Sequence, residues 1–212
     1  MPQEQPASAL DRILRTAPVI PVLVIERAAD AGPLAEALVA GGLPVIEVTL
    51  RTSEALAAIQ AMQRVPGALV GAGTVLDPAQ LRAAIDAGAQ FAVSPGLTEP
   101  VAEAAQAAGL PFLPGVATAS EIMRARDMGL SRLKFFPAEA AGGVIALKAL
   151  SAAFADIRFC PTGGITMGNA HAWLDLPSVA CVGGSWLAPA GQPLDFDAVR
   201  RRAQAAAALR RP

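Results

Sequence analysis

"PVIEVTLRTSEALAAIQAMQRVPGALVGAGT", residues 44 to 74, holds two short apolar runs on either side of an alanine-rich segment. The flanking runs, "PVIEVTL" and "ALVGAGT", are rich in β-branched residues and nearly continuous in apolar character, as expected for strands covered on both faces. The middle, "SEALAAIQAMQ", has helical spacing and opens on a serine, whose side chain can accept from the free N–H groups of a first turn. Strand, helix and strand in this order predict a parallel pair with the helix as its crossover. The unit recurs in both directions. Further apolar runs appear as "VIPVLVI", "QFAVS", "PFLPG", "RLKFF", "IRFCPTGG" and "SVACVGGS", making eight in all. Between them lie "DAGPLAEALVAGG", "DPAQLRAAIDAG", "TEPVAEAAQAAG" and "ASEIMRARDMG", capped helices ending on glycine. Eight such units with no break in composition predict an α/β fold in one domain over residues 1–212. Its form is a (β/α)8 TIM barrel of minimal size, preceded by a short helix near residues 8 to 16. An open doubly wound sheet would be expected to carry a Gly-rich phosphate loop after its first strand, and "VIPVLVIERAADAG" has none.

Composition sets the outer limits. Of 212 residues, 53% are hydrophobic and 17% charged, below the roughly 25% charge of ordinary soluble domains. Part of the surface is therefore expected to be apolar enough to meet another subunit, which points to a homo-oligomer. A net charge of -1 gives no electrostatic footprint for nucleic acid, and the tail "VRRRAQAAAALRRP" reads as the solvated face and end of a last helix. Cys160 and Cys181 sit in apolar runs without metal-ligand spacing, so they are expected as buried free thiols in a reducing cytoplasm. The opening "MPQEQPASALDRILRTAP" lacks the basic start and apolar core of an export signal. Nowhere do about 18 uncharged apolar residues follow one another, so no membrane partner is expected.

Strand residues two apart point the same way, and in a barrel the reactive groups gather at the C-terminal strand ends. In "PVIEVTLR" this sends Ile46, Val48 and Leu50 onto the helices and Glu47, Thr49 and Arg51 inward. In "RLKFFP" it sends Leu133 and Phe135 outward and Lys134 and Phe136 inward. The residue type at 134 matters, because of 17 basic residues only Lys134 and Lys148 are lysines. Arginine stays protonated, whereas an amine among apolar groups loses hydration of its charged form and becomes a nucleophile able to form a Schiff base with a carbonyl. The alternative is a buried ion pair of Lys134 with Glu47 or Glu139 that does no chemistry; such pairs give little net stability over hydrophobic replacement. The chain has one histidine and no tyrosine. His171, in the helix-like "GNAHAWLDL", reads as a surface or packing residue, which leaves Glu47 as the group to take and return a proton.

Glycine pairs mark a second function. Gly163 and Gly164 in "PTGGIT" follow the seventh run, and Gly183, Gly184 and Ser185 in "VGGSW" follow the eighth. In many barrels these two loops hold a phosphate on backbone N–H groups and a helix N-terminus. "GAGT", 71 to 74, adds another Gly-rich strand end, where Thr74 can offer its hydroxyl and N–H to an anion. "SPGLTEP", 94 to 100, reads as a strand end, a turn and a helix cap, with Pro95 shaping the pocket. Neither a metal triad nor a nucleotide loop is read, and no cofactor is implied, since a Schiff-base lysine supplies its own electron sink.

Taken in order, "EVTLRT", "GAGTVL", "AGAQFAVSPGLTEP", "KFFPAE", "RFCPTGGI" and "VGGSWL" resemble the 2-keto-3-deoxy-6-phosphogluconate (KDPG) aldolase and 4-hydroxy-2-oxoglutarate aldolase family, from about residue 18 to residue 190. The resemblance implies cleavage of 2-dehydro-3-deoxy-6-phosphogluconate to pyruvate and glyceraldehyde 3-phosphate, the last step of the Entner–Doudoroff route. It implies Lys134 as the Schiff-base residue and Glu47 as the general acid–base, moving protons through a water. Arg51 and Thr74 would take the pyruvate carboxylate, Pro95 and Phe136 would line the pocket, and Gly163, Gly164, Gly184 and Ser185, with Thr162 beside them, would complete the substrate contacts at the phosphate end. A homotrimer is implied as well. One departure is "TMGN" after "PTGGI", where the family pattern has Ser-Pro before the Asn, which bears on how the next helix is capped. Two other readings stand beside this one. A sugar-phosphate epimerase would use paired acids or a metal and would not need the lysine, and a non-catalytic phosphosugar sensor would keep Lys134 for structure.

Overall fold

The computed structural model describes residues 9–209. In chain order the elements are α1 (Ala9–Arg15), β1 (Val19–Leu23), α2 (Ala31–Ala40), β2 (Val45–Thr49), α3 (Ala55–Met62), β3 (Leu69–Gly73), α4 (Pro78–Asp86), β4 (Ala92–Val93), α5 (Glu99–Ala107) and β5 (Phe112–Leu113). They continue as β6 (Gly115–Val116), α6 (Ala119–Asp127), β7 (Arg132–Phe135), α7 (Gly143–Ala153), β8 (Arg158–Pro161), α8 (Ala170–Leu174), β9 (Val182–Gly184) and α9 (Phe196–Ala207). The expected first helix thus forms over Ala9–Arg15, while residue 8 and the last arginines of the tail, 210 and 211, lie outside the described residues. Helix starts follow local chemistry. Asp77 accepts from the Gln80 N–H at 2.8 Å with Pro78 in the first turn, and Asp195 accepts from the Ala198 N–H at 3.0 Å. Among the described residues no helix is long and apolar enough to cross a membrane.

The result is an α/β fold of parallel strands in a curled sheet. Six strands run β5-β4-β3-β2-β1-β9 and three run β6-β7-β8, every named pair parallel. Where the sequence predicts eight strands in one ring, two ladders appear, for two local reasons. Pro114 has no N–H to donate, so the fifth run divides into β5 and β6 around it, although its carbonyl accepts from the Lys134 N–H at 2.8 Å. At the other seam, β8 and the segment leading into β9 meet through isolated parallel bridges, Phe159 with Val179 and Thr162 with Gly183.

Strand alternation sorts the side chains into two cores. Ile46, Val48, Leu133, Phe135 and Phe159 face the helices, as the period of two predicts. Val45, Phe91, Val93, Leu113, Cys160 and Cys181 pack on the concave side, where α1 adds Leu10, Ile13 and Leu14. Each fully buried side chain of this size contributes about 1.5–3 kcal/mol. Both cysteines are buried. Helix α1 is tied to the strand starts by Arg132, the first residue of β7, whose Nε and Nη2 donate to Asp11 Oδ1 and Oδ2 at 2.5 and 2.7 Å.

Candidate active site

At the opposite end of β7, Lys134 Nζ donates to Glu47 Oε1 at 3.2 Å, and both side chains are more than nine-tenths buried. They come from β7 and β2, and the same alternation that hides Ile46 and Leu133 against the helices turns both onto the concave side. The Phe136 ring centroid lies 5.2 Å from Nζ, close enough for the ring face to attract a cation there. Glu139, the other carboxylate considered for Lys134, is engaged elsewhere: its Oε1 accepts from Trp173 Nε1 at 3.0 Å and from Asn169 Nδ2 at 3.1 Å.

Room for the Glu47 carboxylate comes from β3. A Cβ on Gly73 would sit 2.2 Å from Glu47 Oε1, and one on Gly71 would sit 2.4 Å from the Phe91 ring. The two glycines are two apart on one face, and each yields its side-chain volume to a neighbour. The sequence marks "GAGT" as a Gly-rich strand end that offers Thr74 to an anion; the alternate glycines within the strand are the signal for this close packing. Thr74 follows with φ 58°, the left-handed region, where a β-branched residue is rare and strained by about 1–3 kcal/mol.

The remaining expected residues ring the same strand ends. Pro95 is half-buried, and its carbonyl oxygen would lie 2.1 Å from a Cβ on Gly115, the residue paired with Lys134 across the β6–β7 ladder. Thr162 is buried beside Gly183, where a Cβ would meet its Oγ1 at 2.3 Å. Gly163 and Gly164 have φ of 105° and 77°, in the region that favours glycine. Gly184 lies against the Trp186 ring, 1.8 Å from where its Cβ would be, and Ser185 is exposed beyond it. Arg51 lies just past the strand that carries Glu47. The buried row of β2 ends at Thr49, the chain turns, and Arg51 is exposed two residues beyond the strand. His171 is exposed on α8.

The altered stretch after the glycine pair is held by Asn169. Its Oδ1 accepts from the Thr166 N–H at 2.7 Å and its Nδ2 donates to the Gly164 carbonyl at 3.2 Å, so the turn closes without the Ser-Pro of the family pattern.

An amine stored out of bulk water against its own proton acceptor is the equipment of an enzyme that works through a carbonyl, here on a parallel α/β frame. The family model for KDPG and KHG aldolases matches residues 10–202. The KHG/KDPG aldolase of Escherichia coli K12 is 52% identical over 94% of this chain and 95% of its own. The crystal structure of 2-keto-3-deoxy-6-phosphogluconate aldolase of Zymomonas mobilis ZM4 with 3-phosphoglycerate superposes with a TM-score of 0.94 at 54% identity, covering 97% of this chain and 98% of that one. That of KDPG aldolase from Legionella pneumophila, with pyruvate captured at low pH as a covalent carbinolamine intermediate, superposes at 0.91 with 45% identity, covering 94% of this chain and 98% of that one. The chain belongs to the KDPG and KHG aldolase family.

Proposed function

We propose that the protein is a class I, Schiff-base aldolase that cleaves 2-dehydro-3-deoxy-6-phosphogluconate to pyruvate and D-glyceraldehyde 3-phosphate, and also cleaves 4-hydroxy-2-oxoglutarate to pyruvate and glyoxylate. The observation that carries this reading is the buried contact of 3.2 Å between Lys134 Nζ and Glu47 Oε1. A carboxylate at hydrogen-bond distance can accept the proton that an ammonium must lose before its nitrogen attacks. Lys134 then adds to the C2 ketone to give a carbinolamine, and loss of water gives the iminium. Removal of the C4 hydroxyl proton lets the C3–C4 bond break, its electron pair moving into the iminium to form an enamine as the aldehyde departs. Protonation at C3 and hydrolysis release pyruvate and regenerate the amine. Glu47 carries these protons by way of a water.

Thr74 and Arg51 hold the carboxylate of the substrate, Pro95 and Phe136 line its apolar side, and Thr162, Gly163, Gly164, Gly184 and Ser185 hold the distal phosphate. The pyruvate carbinolamine of the Legionella relative supports the lysine assignment, and the 3-phosphoglycerate of the Zymomonas structure supports a phosphorylated ligand. The name of the Escherichia coli relative supports the second substrate. We read the two ladders as one closed eight-stranded barrel in a single domain, a reading supported by the Pro114 carbonyl that reaches β7 and by the Thr162–Gly183 bridge. A cytoplasmic homotrimer completes the proposal, with exposed Leu76, Met123 and Ile145 supplying apolar surface.

Incubation with pyruvate and borohydride, followed by mass spectrometry, tests the reading. Wild type gains a reduced pyruvate adduct that maps to Lys134. Lys134→Arg keeps the fold and the charge, gains no adduct and loses turnover by on the order of a thousandfold or more. An adduct on another residue, or retained turnover in the arginine variant, overturns the mechanism.

A further inference from the structure

We propose that Glu139, two residues beyond the cis Phe136–Pro137 peptide and outside the site assigned above, is a positioning residue that holds the Gly163–Gly164 turn in its anion-binding shape and thereby sets the preference for a phosphorylated substrate. The inference rests on the reading that this turn receives the phosphate.

Four contacts from the β7 exit converge on the turn. The Ala138 N–H donates to the Thr162 carbonyl at 2.8 Å, and the Glu139 N–H donates to the Gly163 carbonyl at 3.1 Å. The Glu139 side chain lies flat against Gly164, whose Cβ, if present, would be 2.6 Å from Glu139 Cγ. Its Oε1 receives the Asn169 Nδ2–H at 3.1 Å, and the same amide nitrogen donates to the Gly164 carbonyl at 3.2 Å. Trp173 fixes the far side: its ring is fully buried and its Nε1–H donates to the same Glu139 oxygen at 3.0 Å.

The geometric consequence concerns peptide orientation. Gly163 and Gly164 both have positive φ, and with no side chains to restrict them the turn depends on its neighbours to hold one conformation. Carbonyls of Thr162, Gly163 and Gly164 that are pinned toward the β7 exit and Asn169 leave the opposing N–H groups free to face an anion. Glu139 supplies one N–H donor, one packing surface and one double acceptor to this arrangement. An acceptor is what the site asks of it, since the two side-chain partners are both donors. Glutamine keeps that acceptor oxygen, and alanine removes it together with the packing against Gly164.

The test compares kcat and KM for the phosphorylated six-carbon acid and for 4-hydroxy-2-oxoglutarate in wild type, Glu139→Ala, Glu139→Gln and Ser185→Ala. Pyruvate–borohydride trapping of each variant reports the state of Lys134 independently. Glu139→Ala is expected to raise KM for the phosphorylated substrate about tenfold relative to that for 4-hydroxy-2-oxoglutarate, with trapping retained. Glu139→Gln is expected to restore the wild-type ratio within about threefold. If Ser185→Ala separates the two substrates and Glu139→Ala does not, the positioning role is wrong and the phosphate reading survives. If Glu139→Ala weakens both substrates equally, its role is general support of the fold and the inference fails. If neither variant separates the substrates, the phosphate reading fails and takes the inference with it.

Discussion

At the scale of single residues, the Glu47 carboxylate is placed by a side chain that is missing. Gly73 has ordinary negative-φ strand geometry, so alanine is allowed there by the backbone, yet its Cβ would fall 2.2 Å from Glu47 Oε1. Gly73→Ala is therefore expected to fold and to swing the carboxylate off Lys134, lowering kcat by about 10²-fold, the usual weight of one general acid–base group. Steady-state kinetics beside a thermal melt checks this; unchanged kcat would separate Glu47 from catalysis. Lys134 and Glu47 were legible in the sequence because alternation in "RLKFFP" and "PVIEVTLR" has only two outcomes, and the outer faces are plainly apolar. Arg51 lies beyond the reach of the same rule, because alternation holds only while the strand lasts, and β2 stops at Thr49.

At the scale of elements, α6 leads into the strand that bears the lysine, and a reciprocal cap holds its first turn. Glu121 Oε2 accepts from the N–H groups of Ala117 and Thr118 at 2.8 and 2.9 Å and from the Thr118 hydroxyl at 2.9 Å, while Thr118 Oγ1 accepts from the Glu121 N–H at 3.3 Å. Burial pushes the Glu121 carboxyl up, but these donors, with Arg124 nearby, outweigh it and leave the group below its ordinary value. Glu121→Ala is expected to cost about 1 kcal/mol, read as a fall in Tm of about 2–4 °C, with pyruvate trapping on Lys134 unchanged. The start of α6 could be anticipated, because a capping box is written within four residues. The division of β5 from β6 could not, since "PFLPG" reads as one apolar run and only the missing N–H of Pro114 interrupts its ladder. The Glu139 network was equally hidden: its partners Asn169 and Trp173 lie 30 and 34 residues away, in a different βα unit.

At the scale of the whole molecule, Asp11 and Arg132 join residues 121 apart and fasten α1 across the strand starts. The hydrogen bond from Arg132 holds the Asp11 carboxyl below the ordinary aspartate value of 3.8; burial opposes this, and the charges of Arg132, Arg15 and Arg158 add to it. A depressed folded value means stability that is fully present above the unfolded value and is lost as pH falls through the folded one. Asp11→Asn is expected to cost about 2–3 kcal/mol at neutral pH, by leaving Arg132 without its carboxylate. The gap between variant and wild type should close as the pH drops below 3.8. Denaturant melts across that range decide it, and a gap independent of pH would show that the carboxylate's charge is not what stabilises the junction. Strand β7 thus has its fastening at Arg132 and its proposed chemistry at Lys134 and beyond. Campaigns to redirect what the molecule digests and campaigns to harden it against heat would edit opposite poles of one scaffold. Gains made at α1 should then combine additively with new specificities built on the rim loops.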